Sequence, residues 1–302
     1  MLELKTSHLN MVLGRGYFDR LDHLDGYFVV SGFFWRPFFE EHMLFLEWNS
    51  PDGNGCFPMF GEHYLKFSKQ LYCRWCSSKL TNIASSLKLC SKCLCSPKGI
   101  KFRCSIEGSG TPFNTICYGE PICEDSISKF CYDNHVIYLA SFGSIIKVGV
   151  SREKRNGLEN GFIYRLLEQG VDAAVVLSGN LPLWKAQELE LKISEEYNIP
   201  LNLNFEEKLE ELINGVKTPL NKLVKIATEI KNSLNSKVDI VWANHFNWGT
   251  GPQDFNSILR GDEIFGNLIY ARGNIAFFDL CGEIYALNIK SLLGRGIVCW
   301  EV

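Results

Sequence analysis

The stretch Val136-Ile137-Tyr138-Leu139-Ala140-Ser141-Phe142-Gly143-Ser144-Ile145-Ile146-Lys147-Val148-Gly149-Val150 decides the reading of this chain. Two apolar, β-branched runs flank Phe142-Gly143-Ser144, the composition of two strands joined by a tight turn. Downstream, Phe162 to Gln169 predicts a short helix, with Gly170 supplying its C-terminal residue. Ala173–Leu177 predicts a third strand, and Leu183–Tyr197 an amphipathic helix. Thr218-Pro219 opens another helix, with Leu220, Leu223, Val224, Ala227 and Ile230 at helical spacing. The expected order over residues 135–236 is β-β-α-β-α followed by further helix.

Working outward, residues 1–63 read as strand-rich, with β-type runs at Phe28–Val30 and Met43–Trp48. Residues 64–134 form a basic, cysteine-bearing segment with few apolar runs, as expected of a unit nucleated by metal rather than by a core. Residues 237–302 return to strands at Val238–Trp242, Leu268–Ala271, Ile275–Asp279 and Glu283–Ile289. The string Leu-Gly-Arg-Gly occurs at Leu13–Gly16 and again at Leu293–Gly296. Either the two terminal segments form one sheet with the middle of the chain inserted, or two glycine-rich turns coincide. The fold class is therefore α+β and multi-domain.

At 302 residues the chain is about twice a typical domain. Its 46% hydrophobic and 22% charged residues exclude a disordered, collagen-like or coiled-coil protein. The first residues, Met1-Leu2-Glu3-Leu4-Lys5, show no basic run before an apolar one, and no apolar stretch approaches the ~20 residues of a membrane helix. The expectation is a soluble, cytoplasmic protein without a membrane partner.

Of 12 cysteines, ten lie between Cys56 and Cys131. Cys73-x2-Cys76 and Cys90-x2-Cys93 are two knuckles at the spacing that lets four thiolates hold tetrahedral Zn²⁺. Such a site is structural, because no coordination position is left for water. A second group, Cys95, Cys104, Cys117, Cys123 and Cys131, offers five candidates for a possible second zinc. The favoured set is Cys95, Cys104, Cys117 and Cys131. Iron–sulfur ligation is the alternative for sets of four cysteines.

Charge is segregated as well. From Tyr64 to Cys104 there are nine basic residues and no acidic one, so a net charge of −3 leaves −12 for the remainder. Tyr64, Phe67, Tyr72, Trp75 and Phe102 lie among these cations, a mixture that suits neutralised phosphates and stacked bases. Packing of the aromatics on a small metal core is the competing reading. Nucleic acid is the expected partner, with structured RNA preferred on aromatic content alone.

The middle unit resembles the GIY-YIG nuclease superfamily. Val136-Ile137-Tyr138 and Lys147-Val148-Gly149 look like its two strands, and Ala186-Gln187-Glu188-Leu189-Glu190 like the helix bearing its metal-binding glutamate. Asn202, in Pro200-Leu201-Asn202, stands at the place of its terminal asparagine. The resemblance implies that Tyr138 assists water, Arg165 holds phosphate, Glu190 binds a possible Mg²⁺ and Asn202 fixes the site. Lys147 replaces the second tyrosine; an unperturbed lysine, with pKa near ~10.4, is a poor base but a good phosphate ligand. Arg152 or Arg155 could take the role of Arg165. More closely, His135–Ala140, Lys147–Arg152 and Arg165–Gly170 together resemble an uncharacterised archaeal and bacterial zinc-ribbon family, which brings no established activity.

Helical geometry bears on the glutamate independently. At 100° per residue Glu190 falls on the stripe of Ala186, Leu189 and Ile193, whereas Glu188 faces water. A carboxylate on that stripe needs a cation or a metal. His135, four residues after Cys131, could be a zinc ligand, a proton carrier or a hydrogen-bonded structural residue. The loop His245–Gly251 matches neither a phosphate loop nor a triad. The expected function is a nucleic-acid-binding zinc protein with a possible metal-dependent phosphodiesterase site. A non-catalytic RNA-binding scaffold and an RNA-modifying enzyme are the alternatives.

Overall fold

The computed structural model describes residues 28–38, 41–50, 53–81, 87–107, 125–154, 161–234, 238–259 and 262–301. Four strands come first: β1 (Phe28–Phe38), β2 (Glu41–Ser50), β3 (Gly53–Pro58) and β4 (Gly61–Leu71). Short helices α1 (Ser91–Leu94), α2 (Pro97–Glu107) and α3 (Asp125–Tyr132) follow. Next come β5 (His135–Phe142), β6 (Ile145–Arg152), α4 (Phe162–Gln169), β7 (Ala173–Leu181), α5 (Leu183–Tyr197), α6 (Phe205–Asn214) and α7 (Leu220–Ser233). The chain ends in β8 (Asp239–His245), β9 (Ser257–Leu259), β10 (Glu263–Arg272), β11 (Ile275–Leu280), β12 (Glu283–Asn288), a 3₁₀ turn at Ile289–Leu292, and β13 (Arg295–Glu301). Strands and helices both contribute, as the α+β expectation required.

The terminal segments do form one sheet. Nine strands run in the order β3-β2-β1-β13-β4-β10-β11-β12-β9, with β13 seated between β1 and β4. The second Leu-Gly-Arg-Gly string makes the turn into β13. Gly294 there has φ +78, and a Cβ on it would stand 2.8 Å from the Tyr72 carbonyl oxygen, so glycine alone permits that approach. The first copy, Leu13–Gly16, lies outside the described residues. The division expected at 63/64 falls inside β4, because alternating burial of His63, Leu65 and Phe67 carries the strand on to Leu71.

The inserted unit is a four-stranded antiparallel sheet, β6-β5-β7-β8. Strand β8 pairs with β7, so residues 239–245 belong to this sheet although they follow the division expected at 236/237. Strand β5 is buried along its whole length because both its faces are covered. Ile137 and Leu139 pack with α5 and α7, whereas Val136, Tyr138 and Ala140 pack with Phe162 and Leu166 of α4. Glycine ends α4 as the sequence indicates, with Gly170 at φ 72.

Two helices join the sheets. Leu167 of α4 enters the core of the large sheet, and Phe205 and Leu209 of α6 pack with Phe142, Ile275 and Phe277. The end of α4 and the β10–β11 turn approach closely: a Cβ on Gly273 would sit 2.6 Å from the Gln169 carbonyl carbon. Gly273 also has φ +58. Gly273→Ala therefore combines a left-handed backbone cost with backbone overlap, and should destabilise by more than about 2 kcal/mol. Gly282→Ala, at φ +89 in open space, should cost no more than about 1–2 kcal/mol. Urea denaturation of both variants checks this, and equal losses would refute the close approach.

Candidate functional site

The paired cysteines come together. Strand β4 leads into a hairpin closed by the Tyr72–Lys79 bridge, with Cys73 N–H donating to the Ser78 carbonyl and Ser77 N–H to the Cys73 carbonyl. This makes the first knuckle, while the start of α1 presents Cys90 and Cys93 as the second. The Sγ atoms of Cys73, Cys76, Cys90 and Cys93 all lie within 4.8 Å of one another, with Cys76 and Cys90 3.7 Å apart. A tetrahedron with Zn–S of 2.3 Å has edges of about 3.8 Å. The donor set therefore fits, and the cluster could hold a zinc ion. Its electrostatics agree: burial and the neighbouring thiols push Cys93 well up, while Ser78 hydrogen bonds outweigh burial to hold Cys76 near about 6. Four crowded thiolates need a cation among them.

Of the favoured second set, only the Cys95 and Cys131 side chains are described. Cys95 is exposed, whereas Cys131 is buried beside Phe130 and Leu183. Cys117 and Cys123 lie outside the described residues, as does the side chain of Cys104.

Aromatic and basic residues crowd the first site. Trp75 and Phe102 meet edge to face at 5.4 Å, with Lys98 4.4 Å over Trp75 and Arg74 5.4 Å over Phe102. Lys69, Lys79, Lys92 and Lys98 are exposed. The acid-free run of sequence is not acid-free in space, since Lys66 pairs with Glu263 of β10 at 2.9 Å. Phe67 is a core residue, whereas the half-buried Tyr64 meets the exposed Phe265 edge to face.

Tyr138, Lys147, Arg165 and Glu190 converge. The Tyr138 ring lies over Gly149, where a Cβ would be 2.3 Å from its hydroxyl. That hydroxyl accepts from Gln169 Nε2 at 2.7 Å and is within hydrogen-bond reach of Arg165. Lys147 Nζ stands 5.8 Å from the Tyr138 ring centre. Glu190, 2% exposed on the inner face of α5, is pushed up to about 7 by burial, against Lys147, a Val150 backbone hydrogen bond and Arg165. Glu188 faces water and pairs with Lys185. Arg165 is 46% exposed and reaches Glu168 at 3.4 Å.

Glu168 acts on Arg74, whose Nε is buried without a hydrogen-bond partner. Asn202 is exposed, and no described contact draws it into the cluster. His135 is buried, with Nδ1 2.7 Å from the Asp133 carbonyl oxygen; burial lowers it to about 4, which suits a neutral structural imidazole. Arg152 turns away to Phe130 and Asp133, and Arg155 lies outside the described residues.

Sequence reading overlooked Lys208, Arg272, Asn274 and Lys290. Lys208 Nζ donates to the Gln169 carbonyl at 2.9 Å and to Asn274 Oδ1 at 3.3 Å. Its signal was the capping box Asn204–Glu207, which starts α6 and places Phe205, Lys208 and Leu209 on one buried face. The His245–Gly251 loop contributes Trp248, which donates to the Val171 carbonyl at 2.7 Å and meets Trp35 edge to face.

A family model described as a protein of unknown function (DUF2797) matches residues 62–294, more than two thirds of the chain, and the chain belongs to that family. No curated protein and no solved structure matches it. Among the described residues no helix is long and apolar enough to cross a membrane.

Purified protein should carry one zinc per chain at the Cys73–Cys93 cluster. Cys90→Ser should lose it, together with amide protection at residues 72–79, as metal analysis and hydrogen exchange would read. The pH dependence of stability should show two opposing slopes. The folded state keeps the Glu190 proton between pH 4.5 and about 7, so stability from this residue is lost as pH rises through that window. The unfolded state takes the His135 proton first, so stability from this residue is lost as pH falls from 6.5 to about 4. Relative to the parent, Glu190→Gln should gain stability with rising pH and His135→Asn with falling pH, by up to ~1.4 kcal/mol per unit. Parallel urea curves for all three proteins would sink this.

Proposed function

We propose that this DUF2797 member binds nucleic acid, with structured RNA preferred, and holds a phosphodiester at the Tyr138–Lys147–Arg165–Glu190 cluster. The observation that carries the reading is the convergence of those four side chains. The likeness of the strands and of the Glu190 helix to GIY-YIG nucleases supports it, as does the exposed basic surface.

Chemically, Arg165 and Lys147 would pair with the phosphate oxygens, and Arg165 gives the planar fork that suits them. The Tyr138 hydroxyl, fixed by Gln169, is placed to hydrogen-bond an attacking water. Glu190 would hold Mg²⁺ together with phosphate oxygens, as that ion is usually held, while Glu168 pairs with Arg165. Mg²⁺ held there would supply charge neutralisation at the scissile phosphate. Structural zinc organises the neighbouring basic surface and takes no part in bond breaking.

A scaffold that binds without cleaving is the second reading, favoured by Lys147 in place of a tyrosine and by the exposure of Asn202. Labelled RNA incubated with Mg²⁺ should be cleaved by the parent protein, and Glu190→Ala should lose at least about 100-fold in rate with binding retained. Binding without Mg²⁺-dependent cleavage, indifferent to Glu190→Ala, would establish the scaffold. Affinity should fall steeply between 50 and 200 mM salt; a flat response would refute polyanion binding.

A further inference from the structure

One cleft on the terminal sheet has aromatic walls and no charge. It measures about 390 Å³, toward the small end of the ~300–1,000 Å³ of ligand sites, and lies between β1, β2, β10 and the loop after β8. Among the described residues no Lys, Arg, Asp or Glu lines it. His42 lines it from β2, and burial holds that imidazole below its ordinary value, so the ring is neutral at pH 7.

The rings are fixed in place. Trp35 and Trp248 meet edge to face at 5.1 Å, and the His42 ring stands 5.7 Å from Trp248. Trp35 Nε1 donates to the Gly273 carbonyl at 2.9 Å, and Trp248 Nε1 to the Val171 carbonyl at 2.7 Å. Both indole N–H groups are thus spent on the seam between the sheets, which leaves ring surface to meet a ligand. The loop also closes on Tyr270, since a Cβ on Gly251 would stand 3.0 Å from that ring. Half-buried Phe60, in the β3–β4 turn, completes the aromatic lining.

Polar atoms with unused capacity accompany these rings. Asn247 and Thr250 are exposed in the loop. Asn247 Oδ1 accepts the Gly249 N–H at 3.2 Å, whereas Asn247 Nδ2 and the Thr250 hydroxyl have no hydrogen-bond partner among the described residues. His42 Nδ1 is buried without one as well. Folded proteins leave few such buried atoms, and an ordered water or a ligand completes them. A flat, uncharged ring with hydrogen-bonding edges suits this combination. An anion does not, because no cation lines the walls.

We propose that this cleft takes an unpaired purine base, its face on the aromatic walls and its edge toward Asn247. An amide that both accepts and donates matches N6 and N7 of adenine, which makes adenine the preferred base. Stacking of a base on fixed aromatic rings is the usual means of holding a single strand. The cleft is separate from the Tyr138 cluster but shares its support: Gly273, which Trp35 bonds, abuts Gln169, and the Gln169 amide holds Tyr138. The same chemistry would take a free nucleoside or a base of RNA, and the second source rests on the nucleic-acid reading above.

Isothermal titration of the full chain, with zinc bound, against adenosine tests the cleft. The parent should bind saturably and prefer adenosine to inosine, which lacks the exocyclic amine. Phe60→Ala should weaken adenosine by about fivefold or more, the worth of one base stacked on an aromatic ring. Asn247→Ala, at an exposed position, should narrow the preference over inosine by about the same factor. If circular dichroism shows Phe60→Ala unfolded, Asn247→Ala carries the result. Absence of saturable adenosine binding, or variants that bind and discriminate as the parent does, would overturn the assignment. Affinity for labelled RNA separates the two claims. RNA bound without adenosine binding defeats the purine cleft alone. Adenosine bound through Phe60 and Asn247, without RNA binding, upholds the cleft and defeats the nucleic-acid reading.

Discussion

The buried ion pair between Asp172 and Arg272 is the contact on which the relation of the two sheets depends. Both side chains are almost completely buried, and each is engaged on a second side. Asp172 accepts the Gly143 N–H at 2.7 Å at the β5–β6 turn, and Arg272 donates from Nε to the Gly170 carbonyl at 2.7 Å while lying 4.1 Å over the Phe142 ring. Loss of one partner would strand the other charge in the interior, at a cost of about 3–5 kcal/mol. The pair thereby sets the position of α4, and α4 carries Arg165 and Gln169. A structural electrostatic contact thus decides where the Tyr138 hydroxyl finds its partners.

A second constraint comes from the thiolate cluster. Its segment contributes Cys73 and Leu89 as buried apolar residues, too little to organise it by burial alone. Four thiolates around an ion would supply the fixed geometry that a core would otherwise provide. Because β4 runs straight into the first knuckle, and Tyr72 N–H donates to the Gly294 carbonyl at 2.7 Å, that geometry is transmitted to the large sheet.

The environment around Tyr138 also separates the behaviour of like groups. Glu190 is buried among cations yet held near neutrality in pKa, because desolvation outweighs their attraction. Glu168, closer to solvent, serves as counter-charge for arginines on two elements. A chain with a net charge of −3 can therefore present a cationic centre. The whole-molecule charge says little about the field at one cleft.

The amino-acid sequence by itself determined the local features. The Val136–Val150 hairpin, the glycine that ends α4, the inward face of Glu190 and the two cysteine knuckles all follow from period, turn chemistry and ligand spacing over fewer than about twenty residues. The tertiary structure alone decided what lies across the seam. Glu263 neutralises Lys66, β8 joins the inserted sheet, Gly273 abuts Gln169, and Lys208 bonds Asn274 of the β10–β11 turn. Those partners are separated by roughly sixty residues or more of chain, where no periodicity connects them. Burial and charge pairing act between surfaces, and only the folded chain brings those surfaces together.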